Sequence, residues 1–167
     1  MWTTRPEEPQ DADAVRAVVA AAFPTPAEAD LVDALRRGPD AWIEGLSTVA
    51  EDDEGRVVGH ALLTRCHVGD EPALALAPCS VLPDHQRRGV GTAVIRAALD
   101  AAQDLGETLV VVLGHPDYYP RFGFTPAAAS GVRVSFEVPA GALMVLPLDA
   151  TRAVPRGTVR YPAAFGV

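Results

Sequence analysis

The chain has 167 residues, 49% of them hydrophobic, 6% aromatic and 22% charged. That suits one folded domain with a sizeable core, and the short apolar runs exclude a membrane-spanning helix. A net charge of −8 argues against nucleic acid as a partner, and two cysteines, Cys66 and Cys79, are too few for a disulfide framework. Met1 to Glu8 hold no apolar segment behind a basic start, so no secretory signal and a cytoplasmic location are expected.

In chain order, Thr3 to Arg5 is expected to be a short extended segment closed by Pro6. Asp11 and Asp13 open a helix in which Val15, Val18, Val19 and Ala22 recur at helical spacing, and Pro24 and Pro26 end it. A second helix runs from Ala27 to Arg37, with Leu31, Val32 and Leu35 as its apolar stripe and Gly38-Pro39 as its stop. The period then shortens. Leu46 to Ala50, Arg56 to Val68 and Ala73 to Val81 read as strands of a meander, divided by the turns at 51–55 and 69–72. From Gly89 to Gln103 Val90, Val94, Ala97 and Ala101 share one helical face, and Gly106 follows where a left-handed cap belongs. Leu109 to Leu113 is apolar throughout, as in a strand buried on both faces. A short turn or helix around Asp117 to Phe122 and two strands, Val132 to Val138 and Leu143 to Leu148, complete the chain. The order describes an α+β (mixed α/β) domain with helices packed on a largely antiparallel sheet.

Chemistry concentrates in Val81-Leu82-Pro83-Asp84-His85-Gln86-Arg87-Arg88-Gly89-Val90-Gly91-Thr92. A strand ends, Pro83 prevents its continuation, and a glycine-spaced loop opens directly into a helix. The first N–H groups of a helix have no intrahelical partner, and the helix dipole adds positive potential, so an anion such as a diphosphate suits the place. Gly89 and Gly91 remove the side chains that would hold a phosphate off, and Arg87 and Arg88 add charge at the rim. A lysine-bearing phosphate loop is excluded, since all fourteen basic residues are arginine. A dinucleotide fingerprint is poor: its third glycine position is Val94, and no acid ends the strand Leu109 to Leu113.

Gln86-Arg87-Arg88-Gly89-Val90-Gly91 resembles the coenzyme-A-binding motif Q/R-x-x-G-x-G/A of the GNAT (Gcn5-related N-acetyltransferase) superfamily. Tyr119-Pro120-Arg121-Phe122-Gly123-Phe124 is similar to its Y-x-x-x-G-F segment. The helix Glu28 to Arg37, the strand pair around Val49 and Gly59-His60, and the closing Tyr161 to Phe165 resemble the YhbS-like branch of bacterial N-acetyltransferases. The resemblance implies a single domain over 1–167. Its mostly antiparallel sheet would have six or seven strands, flanked by about four helices, with parallel strands 4 and 5 splayed apart. It implies acetyl-CoA as co-substrate, no metal, and cofactor contacts from Val81, Leu82, Arg87, Arg88, Gly89, Val90, Gly91, Thr92 and Tyr119. Homodimers are frequent in the family.

The activity so implied is direct acetyl transfer to a primary amine of a small molecule or protein, with the acidic balance mildly favouring a cationic acceptor. Tyr119, the tyrosine with the three-residue spacing to Gly123-Phe124, takes the role of proton donor to the departing thiolate. The general base stays open among His115, Asp117, Glu28 and Asp30, because the strand Ala73 to Ser80 carries no carboxylate. That gap supports an alternative: a catalytically weak module of the same fold that binds or senses acyl-CoA. Cys79 near the thioester end invites an acyl-cysteine route, but a lone cysteine is more often a small buried hydrophobe. His60 and Cys66 share a strand face about 20 Å apart and His67 points the other way, which fits no zinc site. Trp2 and Trp42 read as packing.

Overall fold

A computed structural model describes residues 2–167. The chain order is β1 (Thr3–Pro6), α1 (Ala12–Ala22), α2 (Ala27–Arg37), β2 (Ser47–Glu51), β3 (Val57–Val68), β4 (Glu71–Val81), α3 (Val90–Asp104), β5 (Leu109–Leu113), β6 (Thr125–Pro126), β7 (Val132–Arg133), β8 (Leu143–Pro147) and β9 (Gly157–Arg160). Short 3-10 turns join several of them. The sheet runs β1-β2-β3-β4-β5-β8-β6, and β9 pairs with β3 and β7. Along the main path every neighbouring pair is antiparallel except β4–β5. No helix of the described residues is long and apolar enough to cross a membrane.

Strand alternation sorts side chains onto two faces. Ala50, Ala61, Leu63, Leu74, Leu76, Val110 and Val112 pack with Val90, Val94, Ile95 and Leu99 of α3. Their neighbours in sequence face the other way: Val49 and Leu62 meet α1 and α2, while Cys66, Ala75 and Val111 meet Ala127, Val132 and Val159. Helix α3 thus covers one face, and α1, α2 and the C-terminal segments cover the other. Each buried Val, Leu or Ile of α3 contributes about 1.5–3 kcal/mol, enough to hold the start of this helix against β3 and β4. Gly59 permits the close approach, since a Cβ there would lie 2.6 Å from Val90 Cγ1.

The structure refines several expectations. The short turn or helix expected around Asp117 to Phe122 is a single 3-10 turn, Tyr119–Phe122. Gly123 stops it after four residues by taking a left-handed φ of +100°, so the described residues contain three α-helices rather than about four. The strand expected from Val132 to Val138 stops at Arg133, because its partner β9 pairs only Gly157 and Thr158 with it and Phe136 leaves to pack on Tyr161. Strand β9 itself had no counterpart in the sequence reading. The main path of the sheet has seven strands, and β7 and β9 lie off it.

Candidate functional site

The loop expected to bind an anion lies between β4 and α3. A 3-10 turn at Pro83–His85 ends the strand, and the Gln86 side-chain amide donates back to the Val81 carbonyl at 3.3 Å. Arg87 then takes φ +64°, the one positive φ outside glycine among the described residues, and Gly89 follows at φ +85° as the cap of α3. Two left-handed residues in three fold the loop onto the helix start; for arginine this costs about 1 kcal/mol. Helix α3 has neither a side-chain cap nor an acidic residue in its first turn, so its leading N–H groups face outward without a protein acceptor. Trp2 braces the loop: its Nε1 donates to the Arg88 carbonyl at 2.9 Å, and its ring meets His85 edge-on. The side chains of Arg87 and Arg88 are exposed.

The second element is a gap in the sheet. Strands β4 and β5 pair only at Leu74–Val110 and Ala75–Val111, then separate, although β4 continues to Val81 and β5 to Leu113. A bulge accompanies the separation. Leu63 opposes Leu76 and Ala61 opposes Cys79, so Ala77 and Pro78 together face one β3 residue. The extra residue reverses the alternation and turns Cys79 and Val81 onto the α3 face, where they join Leu74 and Leu76.

Tyr119 reaches this gap from the turn after β5. Its ring lies on Gly114, where a Cβ would sit 2.2 Å from Tyr119 Cε2, and meets Tyr118 and Phe124 edge-on. Its ring and Cys79 pack against the same apolar cluster. Burial, then the neighbouring Cys79, pushes the Tyr119 pKa above the ordinary phenol value, so the group keeps its proton. Burial also pushes the Cys79 thiol up to about 12, which withholds the thiolate that an acyl-cysteine route needs.

Of the residues singled out in the sequence, Val81, Gly91 and Thr92 meet at the mouth of the gap. A Cβ on Gly91 would lie 3.2 Å from Tyr118 Oη and 3.6 Å from Val81 Cγ2, and Thr92 Oγ1 lies 3.4 Å from Tyr118 Oη. The two tyrosines therefore differ: Tyr118 lies at the α3 start and Tyr119 beside β4. Leu82 packs between the cores of both faces. Among the candidate bases, Asp30 is paired with Arg16 at 2.9 Å. His115 and Asp117 are exposed on the loop that leads to Tyr118. Glu28, in the first turn of α2, holds Oε2 buried without a hydrogen-bond partner.

The sequence reading left Gly114 and Tyr118 without a role and took Trp2 as packing. The repeated Tyr118-Tyr119 pair and Gly114 just after a buried strand were the available signals. His60 belongs to a buried polar chain rather than a metal site: its Nε2 lies 2.8 Å from Ser47 Oγ, which reaches Glu7 and through it Arg36. Among the described residues no three His, Cys, Asp or Glu side chains converge as metal ligands.

Comparison with known proteins agrees with this geometry. Residues 13–124 match the Acetyltransferase (GNAT) family. The chain is 34% identical to the uncharacterised N-acetyltransferase YhbS of Escherichia coli K12 over 165 residues, 96% of each chain. It is 40% identical over 134 residues to that organism's uncharacterised N-acetyltransferase YjhQ, covering 77% of this chain and 73% of the relative. The crystal structure of Escherichia coli YhbS in complex with CoA superposes with a TM-score of 0.90 at 31% identity, over 99% of this chain and 92% of that one. A GNAT family acetyltransferase from Brucella melitensis in complex with acetyl-CoA superposes with a TM-score of 0.79 at 33% identity, over 99% and 98%. With the uncapped α3 start, the splayed parallel pair and the tyrosine between them, these matches make the chain a member of the GNAT family of N-acetyltransferases.

Proposed function

We propose that the protein transfers the acetyl group of acetyl-CoA directly to a primary amine of a small molecule or protein. The observation that carries the reading is the divergence of β4 from β5 beyond Ala75–Val111, with an uncapped helix start at its mouth and Tyr119 at its side. The two relatives whose structures hold CoA or acetyl-CoA align over 99% of this chain, which supports the loop as the diphosphate cradle. In this reading the N–H groups from Gly89 to Thr92 bind the diphosphate, Arg87 and Arg88 add charge from the rim, and Val81 and Leu82 flank the entering arm.

Direct transfer requires the acceptor nitrogen to attack the thioester carbonyl as the neutral amine. Main-chain N–H groups of the opened β4 edge stabilise the developing oxyanion. As the carbon–sulfur bond breaks, Tyr119 gives its proton to the thiolate; a buried phenol that holds its proton at neutral pH suits that task. The acceptor approaches from the face opposite α3. On that face Glu28 combines a carboxylate with a buried, unpartnered oxygen, so it receives the proton lost by the amine.

The test is acetyl-CoA binding by calorimetry beside CoA release against an amine panel. Binding with amine-dependent release is expected, and Tyr119→Phe should lower kcat at least 100-fold with acetyl-CoA affinity kept. Glu28→Gln should lower kcat with acetyl-CoA affinity kept. Binding without release on any amine would instead make the chain an acyl-CoA sensor. Stabilisation by NAD(P)H but not by acetyl-CoA would overturn the cofactor assignment.

A further inference from the structure

On the face away from α3, the opened strands border a cavity of about 230 Å³. One wall is formed by residues 75–77 of β4 and 111–113 of β5, where the pair separates; Phe136, Tyr161, Phe165 and Val167 form the rest. The aromatic wall is continuous: Tyr161 lies 5.2 Å from Phe165 and 6.3 Å from Phe136, centroid to centroid. No charged residue lines the cavity. A larger groove of about 530 Å³ carries Asp40, Arg65, His67 and Arg160. It flanks the paired far end of β3, where His67 opposes Arg160, and includes none of the splayed residues.

We propose that the aromatic cavity receives the apolar body of the acceptor, and that the protein acetylates primary amines carried on an aromatic or branched-alkyl group. This deepens the acetyltransfer reading and rests on it. Position comes first: the cavity begins where β4 and β5 part, so a group seated in it abuts the outlet through which an acyl carbon would emerge. Size comes second. An apolar cavity of about 150 Å³ holds a benzene ring, so about 230 Å³ accommodates a ring with a short alkyl link to the nitrogen. Chemistry comes third. A polyamine needs carboxylates to compensate the ammonium groups that do not react, and the side chains of this wall offer none, whereas burying an apolar ring against three aromatic side chains is favourable. The overall negative charge therefore reports solubility rather than acceptor choice.

An apolar group could also arrive on the donor as a longer acyl chain, and the experiment separates the two sources. The wild-type protein is assayed with acetyl-CoA against 2-phenylethylamine, isopentylamine, spermidine and N-acetyl-lysine methylamide. Propionyl-, butyryl- and hexanoyl-CoA are then compared at fixed 2-phenylethylamine. The expected result is a kcat/KM at least 10-fold higher for the two apolar amines, with acetyl-CoA the best donor. Phe136→Ala should raise KM for 2-phenylethylamine about 10-fold, leaving kcat and acetyl-CoA affinity within 2-fold, and Phe136→Leu should restore most of the loss. Preference for spermidine or the lysine amide overturns the acceptor class while leaving acetyl transfer intact, as does a rate that climbs with acyl length. Failure to bind acetyl-CoA at all overturns the underlying reading instead.

Discussion

Gly114→Ala gives the sharpest perturbation of the proposed proton donor without touching its chemistry. A Cβ at position 114 would lie 2.2 Å from Tyr119 Cε2 and 2.8 Å from Cδ2, while carbon atoms at rest need about 3.5 Å. The deficit of more than about 1 Å falls on the ring, which must slide along its contacts with Tyr118 and Phe124. A displacement of that size at a catalytic group lowers turnover about 100-fold. The strain also costs about 1–3 kcal/mol of stability, so activity is read well below the melting transition of the variant. The assay is steady-state CoA release with acetyl-CoA affinity measured separately, in wild type, Gly114→Ala, Tyr119→Phe and the double variant. If the phenol acts through its placed hydroxyl, Gly114→Ala lowers kcat about 100-fold at unchanged affinity and adds almost nothing on the Tyr119→Phe background. Wild-type kcat in Gly114→Ala, or two losses that multiply, would refute the reasoning.

Further outcomes follow from packing and titration. Gly59→Ala sets a methyl 2.6 Å from Val90 Cγ1 and should lower unfolding stability by about 1–3 kcal/mol, with more than half restored by adding Val90→Ala; an unchanged denaturation midpoint would contradict the close packing of α3. Burial, reinforced by nearby Arg36, lowers the His60 pKa to about 3. The unfolded chain therefore binds a proton below about pH 6.5 that the folded chain refuses, and stability declines as pH falls from there toward 3. Between pH 7.5 and 5 this one group removes about 2 kcal/mol, so the denaturation midpoint of His60→Gln should depend correspondingly less on pH. Equal pH slopes in the two proteins would contradict a neutral buried imidazole. Gly91→Val should weaken acetyl-CoA binding at least 10-fold, because the added side chain crowds Tyr118 and Val81 at the cradle; unchanged affinity would remove Gly91 from it.

How much of this was legible in the sequence depended on the range of the interactions. Helix α2 was readable to the residue because Leu31, Val32 and Leu35 set its period and Gly38-Pro39 its end. The uncapped start of α3 was readable because Gly89 and Gly91 sit between a proline-stopped strand and an apolar-periodic helix. The site's finer placement was not. Period-two alternation places Cys79 opposite to Leu76; only the bulge at Ala77-Pro78 brings both to one face. Trp2 looked like packing because the carbonyl it holds lies 86 residues away. Strand β9 is four residues long and gains meaning only beside β3, about 90 residues earlier. The cavity likewise joins two strands to side chains from two distant segments, and no local pattern announces it.

The claim beneath these expectations is that main-chain donors at the start of α3 hold the cofactor and aim its thioester between β4 and β5. Amide resonances followed during acetyl-CoA titration test it directly. Gly89, Val90, Gly91 and Thr92 should shift saturably, together with the amides of 76, 77 and 79–81 and the Tyr119 ring, while those of the groove beside His67 and Arg160 stay still. Saturable binding that moves the groove and leaves Gly89 and Gly91 unchanged would contradict the account.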